Sequence, residues 1–237
     1  MQAAIIAAGN GERLRQAGWV LPKPLVPVAG RPLVEYVLRG LEHAGVRRVV
    51  MALNTRGFPV ERYCRRHWPR LDFSFVYRDT PNSMESLFAL EPLIAGDPFV
   101  LMTADTLIAP SRLGEFCTRV REFGPEAVVL GVTAFVDDEK PLWVESDDTA
   151  RVQALGSAVR GRGWVTAGVY AMPRSVFRHV AAARAAGAAA LRDFLALLLQ
   201  AGVEMRALPV GVCVDVDRPQ DLAVAARFVA EEYASDA

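Results

Sequence analysis

The chain alternates apolar runs with segments whose apolar positions recur every three or four residues. Met1 to Ala8 is apolar almost throughout and is closed by Gly9, the pattern of a strand covered on both faces of a parallel sheet. Pro32 at a helix start, then Leu33, Val34, Val37, Leu38 and Leu41 at helical spacing with Gly45 as the stop, predict an amphipathic helix. Val46 to Leu53 repeats the buried-strand pattern. A helix near Val60 to His67, a strand from Leu71 to Tyr77, a helix from Ser83 to Ala95 and a strand from Pro98 to Thr103 follow. Strand and helix in alternation, joined by short right-handed crossovers, predict a parallel sheet with helices on both faces and ligands at the carboxyl ends of its strands.

After Asp105 the rhythm changes. A helix from Ser111 to Phe123 and a strand from Ala127 to Phe135 precede two short segments, Leu142 to Glu145 and Ala150 to Leu155, split by the turn Asp147-Asp148. This part reads as a β-rich insertion. Helices over Arg174 to Ala186 and Ala188 to Ala201, one strand from Val203 to Val216 and a final helix from Pro219 complete the pattern. The stripe Leu191, Phe194, Leu195, Leu198 and Leu199 suits either a core helix or a homodimer surface. No repeat or linker divides the chain, so residues 1–237 are read as one domain.

Composition narrows the function. With 237 residues, 52% hydrophobic and 23% charged, the chain can bury roughly 70–75% of its unfolded surface and needs neither a metal nor disulfides to fold. Any metal therefore serves chemistry. Twenty-seven basic residues balance 27 acidic ones, leaving no positive field for nucleic acid. Cys64, Cys117 and Cys213 are odd in number and far apart, which fits a reducing cytoplasm better than a disulfide framework. His43, His67 and His179 are scattered, and GxSxG and HExxH are absent, so common hydrolase and zinc-protease readings lack their residues. Met1 to Gly9 lacks the basic leader of a signal peptide, and Arg184, Gly187, Arg192 and Asp193 interrupt Val180 to Ala201 as a membrane span.

Four features carry candidate chemistry. Gly9-Asn10-Gly11-Glu12-Arg13 follows a buried strand, where two glycines allow tight turns and leave N–H groups to face phosphate. Leu14 stands where the dinucleotide fingerprint needs a third glycine, and Gly18, Pro22, Pro24 and Pro27 prolong the loop, which disfavours a nicotinamide-dependent oxidoreductase. Pro22-Lys23-Pro24-Leu25 holds one of only two lysines, the other being Lys140. A compact ammonium suits a single phosphate oxygen. Asp105 directly follows a strand, and Asp215 and Asp217 end another; Asp217 also suits the N-cap of the last helix. Two strand-end carboxylates over a triphosphate would coordinate Mg²⁺.

In this order the features resemble the nucleotidyltransferase superfamily of sugar-1-phosphate nucleotidylyltransferases. The likeness rests on Ala3 to Leu14 and Pro22 to Leu33, and more loosely on Thr103-Ala104-Asp105, Ala167-Gly168-Val169-Tyr170 and Asp215 to Leu222. Asn82-Ser83-Met84-Glu85-Ser86-Leu87 is similar to the corresponding stretch of phosphocholine and inositol-1-phosphate cytidylyltransferases. The resemblance implies a Rossmann-like, mostly parallel mixed sheet flanked by helices, of the nucleotide-diphospho-sugar transferase type. It also implies a nucleotide-binding half (1–109) and an acceptor-binding half (110–237). Ala7, Ala8, Gly9, Asn10, Gly11 and Arg13 would hold an NTP's phosphates, Lys23 its α-phosphate, and Asn82 and Ser83 would lie near the base. Asp105 and Asp217, with Asp215, would hold Mg²⁺, and Gly168 and Lys140 would meet a phosphorylated small-molecule acceptor.

The implied reaction releases pyrophosphate and uses Arg13, Lys23 and Asp105 as its catalytic groups. Two departures stand out. Ala104 replaces a common glycine, and Ala154-Leu155-Gly156-Ser157-Ala158 occupies the place of an acceptor-side lysine; Lys140 stands one strand early, as an acceptor group or a solvated loop residue. A nucleotide-binding regulatory protein without turnover is the rival reading. Arg62, Arg65, Arg66 and Arg70 read as a solvated face, and Trp143 and Trp164 as core or acceptor-stacking residues.

Overall fold

The computed structural model describes residues 1–135 and 141–233; Lys140 lies outside the described residues. Strand β1 (Gln2–Ala7) leads through helix α1 (Glu12–Gln16) and the ribbon β2 (Pro27–Val28) and β3 (Arg31–Pro32) into α2 (Leu33–His43). Then come β4 (Arg48–Leu53), α3 (Phe58–His67), β5 (Asp72–Tyr77), α4 (Ser83–Leu90) and β6 (Phe99–Thr103). The second half contributes β7 (Thr106–Ile108), α5 (Pro110–Arg119), β8 (Val128–Thr133), β9 (Trp143–Ser146), β10 (Val152–Leu155) and β11 (Trp164–Met172). It closes with α6 (Val180–Ala185), α7 (Leu191–Gln200), β12 (Met205–Pro209), β13 (Cys213–Asp215) and α8 (Asp221–Glu232).

The expected mixed α/β sheet flanked by helices is present. β5, β4, β1 and β6 lie side by side and pair in parallel. β11 then runs antiparallel to β6, β8 and β9, while β12 pairs in parallel with β8. The sheet is thus parallel in its first half and largely antiparallel in its second. Along β1, Ala3, Ile5 and Ala7 pack into one core, and Ala4 and Ile6 into the other, which is why its sequence reads as continuous rather than alternating hydrophobicity. Helices α2, α3 and α5 cover the first face through Val37, Leu41, Val60 and Phe116. On the other face α4 and α7 pack Leu87, Phe88, Phe194 and Leu198. The stripe on α7 is therefore a core surface: Leu191, Phe194, Leu195 and Leu198 are all buried.

Three sequence expectations are corrected. Val203 to Val216 is not one strand: Val210, Gly211 and Val212 lie between β12 and β13, Gly211 has φ +77°, and the two strands join different sheets. β11, the strand that turns the sheet antiparallel, does not stand out in the sequence, because Thr166 and Gly168 interrupt its apolar pattern. The Gly- and Pro-rich stretch after Gly9 is not all loop, since it forms α1, a 3-10 turn over Lys23–Leu25 and the β2–β3 ribbon. A third apolar cluster lies beneath that stretch, where Leu14, Val26 and Val28 pack against Leu107, Val214, Val216 and Phe228. Among the described residues no helix is long and apolar enough to cross a membrane.

Candidate active site

The site is built where neighbouring strands end together. Ala104 continues the β1–β6 pairing by donating its N–H to the carbonyl of Ile6 at 3.0 Å. Asp105 therefore leaves the sheet beside the Ala8–Gly11 turn. Gly11 adopts φ +59°, and a Cβ there would lie 3.0 Å from Lys23 Cβ. Only glycine allows both the left-handed turn and the close passage of Lys23. Lys23 is held from beneath by its own 3-10 turn, with Val26 N–H on its carbonyl at 3.1 Å, and by the burial of Val26 and Val28.

The last carboxylate arrives from the far end of the sequence. β13 pairs antiparallel with β7, setting Asp215 opposite Thr106, and the N–H of Val216 donates to the carbonyl of Asp105 at 3.1 Å. The next residue, Asp217, then reaches Lys23. Lys23 Nζ donates to Asp105 Oδ2 at 2.5 Å and also to Asp217 Oδ1. Asp217 is not a helix cap; the N-cap of α8 is Gln220, and Asp221 Oδ2 accepts from the N–H groups of Asp217 and Arg218 at 2.8 and 2.7 Å, which fixes the turn that carries Asp217.

Charge and burial reinforce this arrangement. The Lys23 side chain is 11% exposed and that of Asp105 28%. Burial by itself would lower the Lys23 pKa, but the charges of Asp105 and then Asp217, with their hydrogen bonds, outweigh it and raise the value above the ordinary one. Burial likewise opposes ionisation of Asp105, yet the Lys23 charge and hydrogen bond hold its carboxyl below its ordinary value. Arg13 NH1 lies 3.8 Å from Asp217 Oδ2 across the mouth.

Ala7 to Gly11, Arg13, Lys23, Asn82, Ser83, Asp105 and Asp217 all line one cavity of about 460 Å³. Asn82 also caps α4, its Oδ1 accepting from Glu85 N–H at 2.9 Å, so its sequence signal is partly structural. Asp215 and Gly168 instead line a second cavity of about 400 Å³, which shares Ser83, Thr103, Asp105 and Asp217 with the first. Asp215 Oδ1 accepts from the hydroxyl of Thr106, whose own Oγ1 lies 2.7 Å from Thr103 Oγ1. Gly168, at φ +68°, leaves room for these hydroxyls: a Cβ there would lie 2.4 Å from Thr106 Oγ1.

Sequence reasoning missed Thr80 and Ser86 in the first cavity and Thr106, Thr166 and Arg192 in the second. Ser86 was detectable, one turn beyond Ser83 on the same helix; the others are brought in by pairing between distant segments. Arg62, Arg65, Arg66 and Arg70 are exposed, as a solvated face requires. Trp164 packs against the core, and Trp143 borders a separate hollow with Ser157 and Arg192.

Comparison with known proteins agrees with this fold. The inositol-1-phosphate CTP transferase from T. maritima superposes with a TM-score of 0.84 at 21% identity, covering 97% of this chain and 96% of that one, a likeness of fold. A glucose-1-phosphate thymidylyltransferase of Actinoplanes sp. is 30% identical over 159 residues, 65% of this chain and 52% of its own. A bifunctional IPC transferase and DIPP synthase of Rubrobacter xylanophilus is 27% identical over 238 residues, 96% of this chain and 51% of its own. The chain thus spans about half the length of these curated relatives. The model of the MobA-like NTP transferase domain matches residues 3–203, and the chain belongs to that family.

Proposed function

We propose that the chain is a nucleotidylyltransferase of the pyrophosphorylase type, which transfers NMP from an NTP to a small phosphorylated acceptor. The observation that carries this reading is the bonding of Lys23 to both Asp105 and Asp217, two carboxylates that line both cavities. The first cavity, bordered by the Gly9–Gly11 turn and Arg13, takes the nucleotide, with Asn82 and Ser83 near its base. The second, with Gly168, takes the acceptor. Relatives named for glucose 1-phosphate and inositol 1-phosphate support a sugar or cyclitol phosphate as that acceptor, and phosphocholine belongs to the same proposal.

An acceptor phosphate oxygen forms a bond to the α-phosphorus as the bond to the bridging oxygen breaks, and pyrophosphate leaves. The nucleophile is already anionic, so no proton need be removed and no general base is required. Positioning and charge neutralisation by Lys23 and Arg13 lower the barrier. Asp105 and Asp217 supply the hard oxygen donors that Mg²⁺ prefers, with Asp215 close by in the second cavity. Among the described residues no cluster of three or more His, Cys, Asp or Glu side chains could hold a metal. A site with so few protein ligands suits Mg²⁺, which usually keeps waters and substrate phosphates as its other ligands. Bound there, Mg²⁺ would neutralise triphosphate charge. Three unpaired cysteines support a cytoplasmic setting.

The test is pyrophosphate release with Mg²⁺, using the four NTPs and dTTP against hexose 1-phosphates, inositol 1-phosphate and phosphocholine. One productive pair establishes the reaction and names both substrates. Tight NTP binding with no release on any pair would turn the reading to a regulatory protein of the same fold.

A further inference from the structure

We propose that Arg192 receives the phosphate group of the acceptor in the second cavity. The inference rests on the nucleotidylyltransferase reading above and assigns a residue to its least defined step. Asp105, Asp215 and Asp217 all line this cavity. Three carboxylates repel a phosphomonoester, which carries close to two negative charges at neutral pH, so an entering acceptor needs a cation in the wall. Lys23 lines the first cavity and not this one. Among the described lining residues Arg192 is the one that brings positive charge to the second cavity. A guanidinium also presents paired donors that match two oxygens of a phosphate.

The turn that carries Arg192 is fixed at both ends. Leu191 N–H donates to Ser83 Oγ at 3.0 Å, and Ala189 N–H donates to Asp193 Oδ2 at 2.9 Å. Ser83 lines both cavities, so one hydroxyl sets the start of α7 relative to the nucleotide side. The charge of Arg192 is felt inside: burial pushes the Tyr170 hydroxyl up to about 12, Asp215 adds to that, and Arg192 opposes it. Because Arg192 is exposed at the cavity rim, replacing it leaves the core packing of α7 intact.

The experiment is steady-state pyrophosphate release at saturating NTP, on the productive pair found for the wild type, with inorganic phosphate as an inhibitor. Arg192→Ala should raise the acceptor KM and the phosphate inhibition constant by roughly 10–100-fold, the effect of losing a charge-assisted hydrogen bond, with the NTP KM unchanged. Arg192→Lys should recover part of the loss. Arg160→Ala removes a cation that borders only the neighbouring hollow and should leave both constants unchanged. An active Arg192→Ala enzyme with the wild-type acceptor KM would overturn the assignment while leaving the reaction standing. So would the same loss appearing in Lys140→Ala but not in Arg192→Ala. A folded, NTP-binding wild type without turnover on any pair would overturn the reaction and this role together.

Discussion

The backbone N–H of Val216 donates to the carbonyl of Asp105 at 3.1 Å, and that bond joins the two ends of the candidate site. Asp105 leaves β6, at the middle of the sheet, whereas Val216 follows β13 and is packed with Leu14, Val26 and Phe228. Because side chains alternate along an extended segment, fixing Val216 beneath the loop turns Asp217 toward Lys23. Val216→Ala should therefore lower stability by about 1–3 kcal/mol through the lost burial and cavity, and should weaken NTP binding as well. Urea denaturation and nucleotide titration of one variant check both effects.

Lys23 separates two carboxylates that would otherwise repel each other. Lys23→Ala should reduce turnover by about 10²–10³-fold, the scale of losing one preorganised electrostatic group. It should also raise the Asp105 pKa, since Lys23 is the main influence holding that carboxyl down. Pyrophosphate release and the carboxyl region of a ¹³C NMR titration read the two effects separately.

The pH dependence of stability has a definite sign. Asp105 titrates below its ordinary 3.8 in the folded protein, so its contribution is present above that value and fades as pH falls through the carboxylate range. Lys23 titrates above its ordinary 10.5, so its contribution is complete below that value and is lost at higher pH. Both groups stay charged from about pH 5 to 9. The difference in melting temperature between wild type and Asp105→Asn should be constant over that window and shrink below about pH 4. A difference that grows on acidification would contradict the lowered pKa.

Gly168 stands where φ is +68° and where a Cβ would meet Thr106 Oγ1 at 2.4 Å. Gly168→Ala should cost about 1–3 kcal/mol from backbone strain and displacement of the Thr103–Thr106–Asp215 hydroxyl chain. The acceptor KM should rise more than the NTP KM, because Gly168 lines only the second cavity.

All three cysteines are buried. Burial pushes the thiol of Cys64 up to about 12 and that of Cys117 up to about 11, so little thiolate forms at neutral pH. The native protein should not react with Ellman's reagent at pH 8, whereas three thiols should titrate in guanidinium chloride. A fast-reacting native thiol would contradict the packing around these residues.

The sequence by itself determined the parallel half of the fold and the glycine turn that follows β1. Residues 1–103 alternate strands and helices joined by short connections, so hydrophobic period and turn residues suffice to identify them. Gly11 is legible because its φ of +59° is a local backbone demand, and Lys23 because it is one of only two lysines in the chain. In the second half most elements were legible too, but only tertiary structure decided how its strands pair. Splitting Val203 to Val216 into β12 and β13 depends on which strand edges are open, and no local pattern records that. The division of labour between Asp215 and Asp217 was equally hidden: two residues apart in one motif, Asp215 lines only the second cavity whereas Asp217 reaches both, because β13 pairs with β7 and ends at Asp215. Arg192 gave no signal at all. Its position follows from Ser83 fixing the start of α7, a contact across 108 residues of sequence, and contacts of that range are set by packing rather than by propensity.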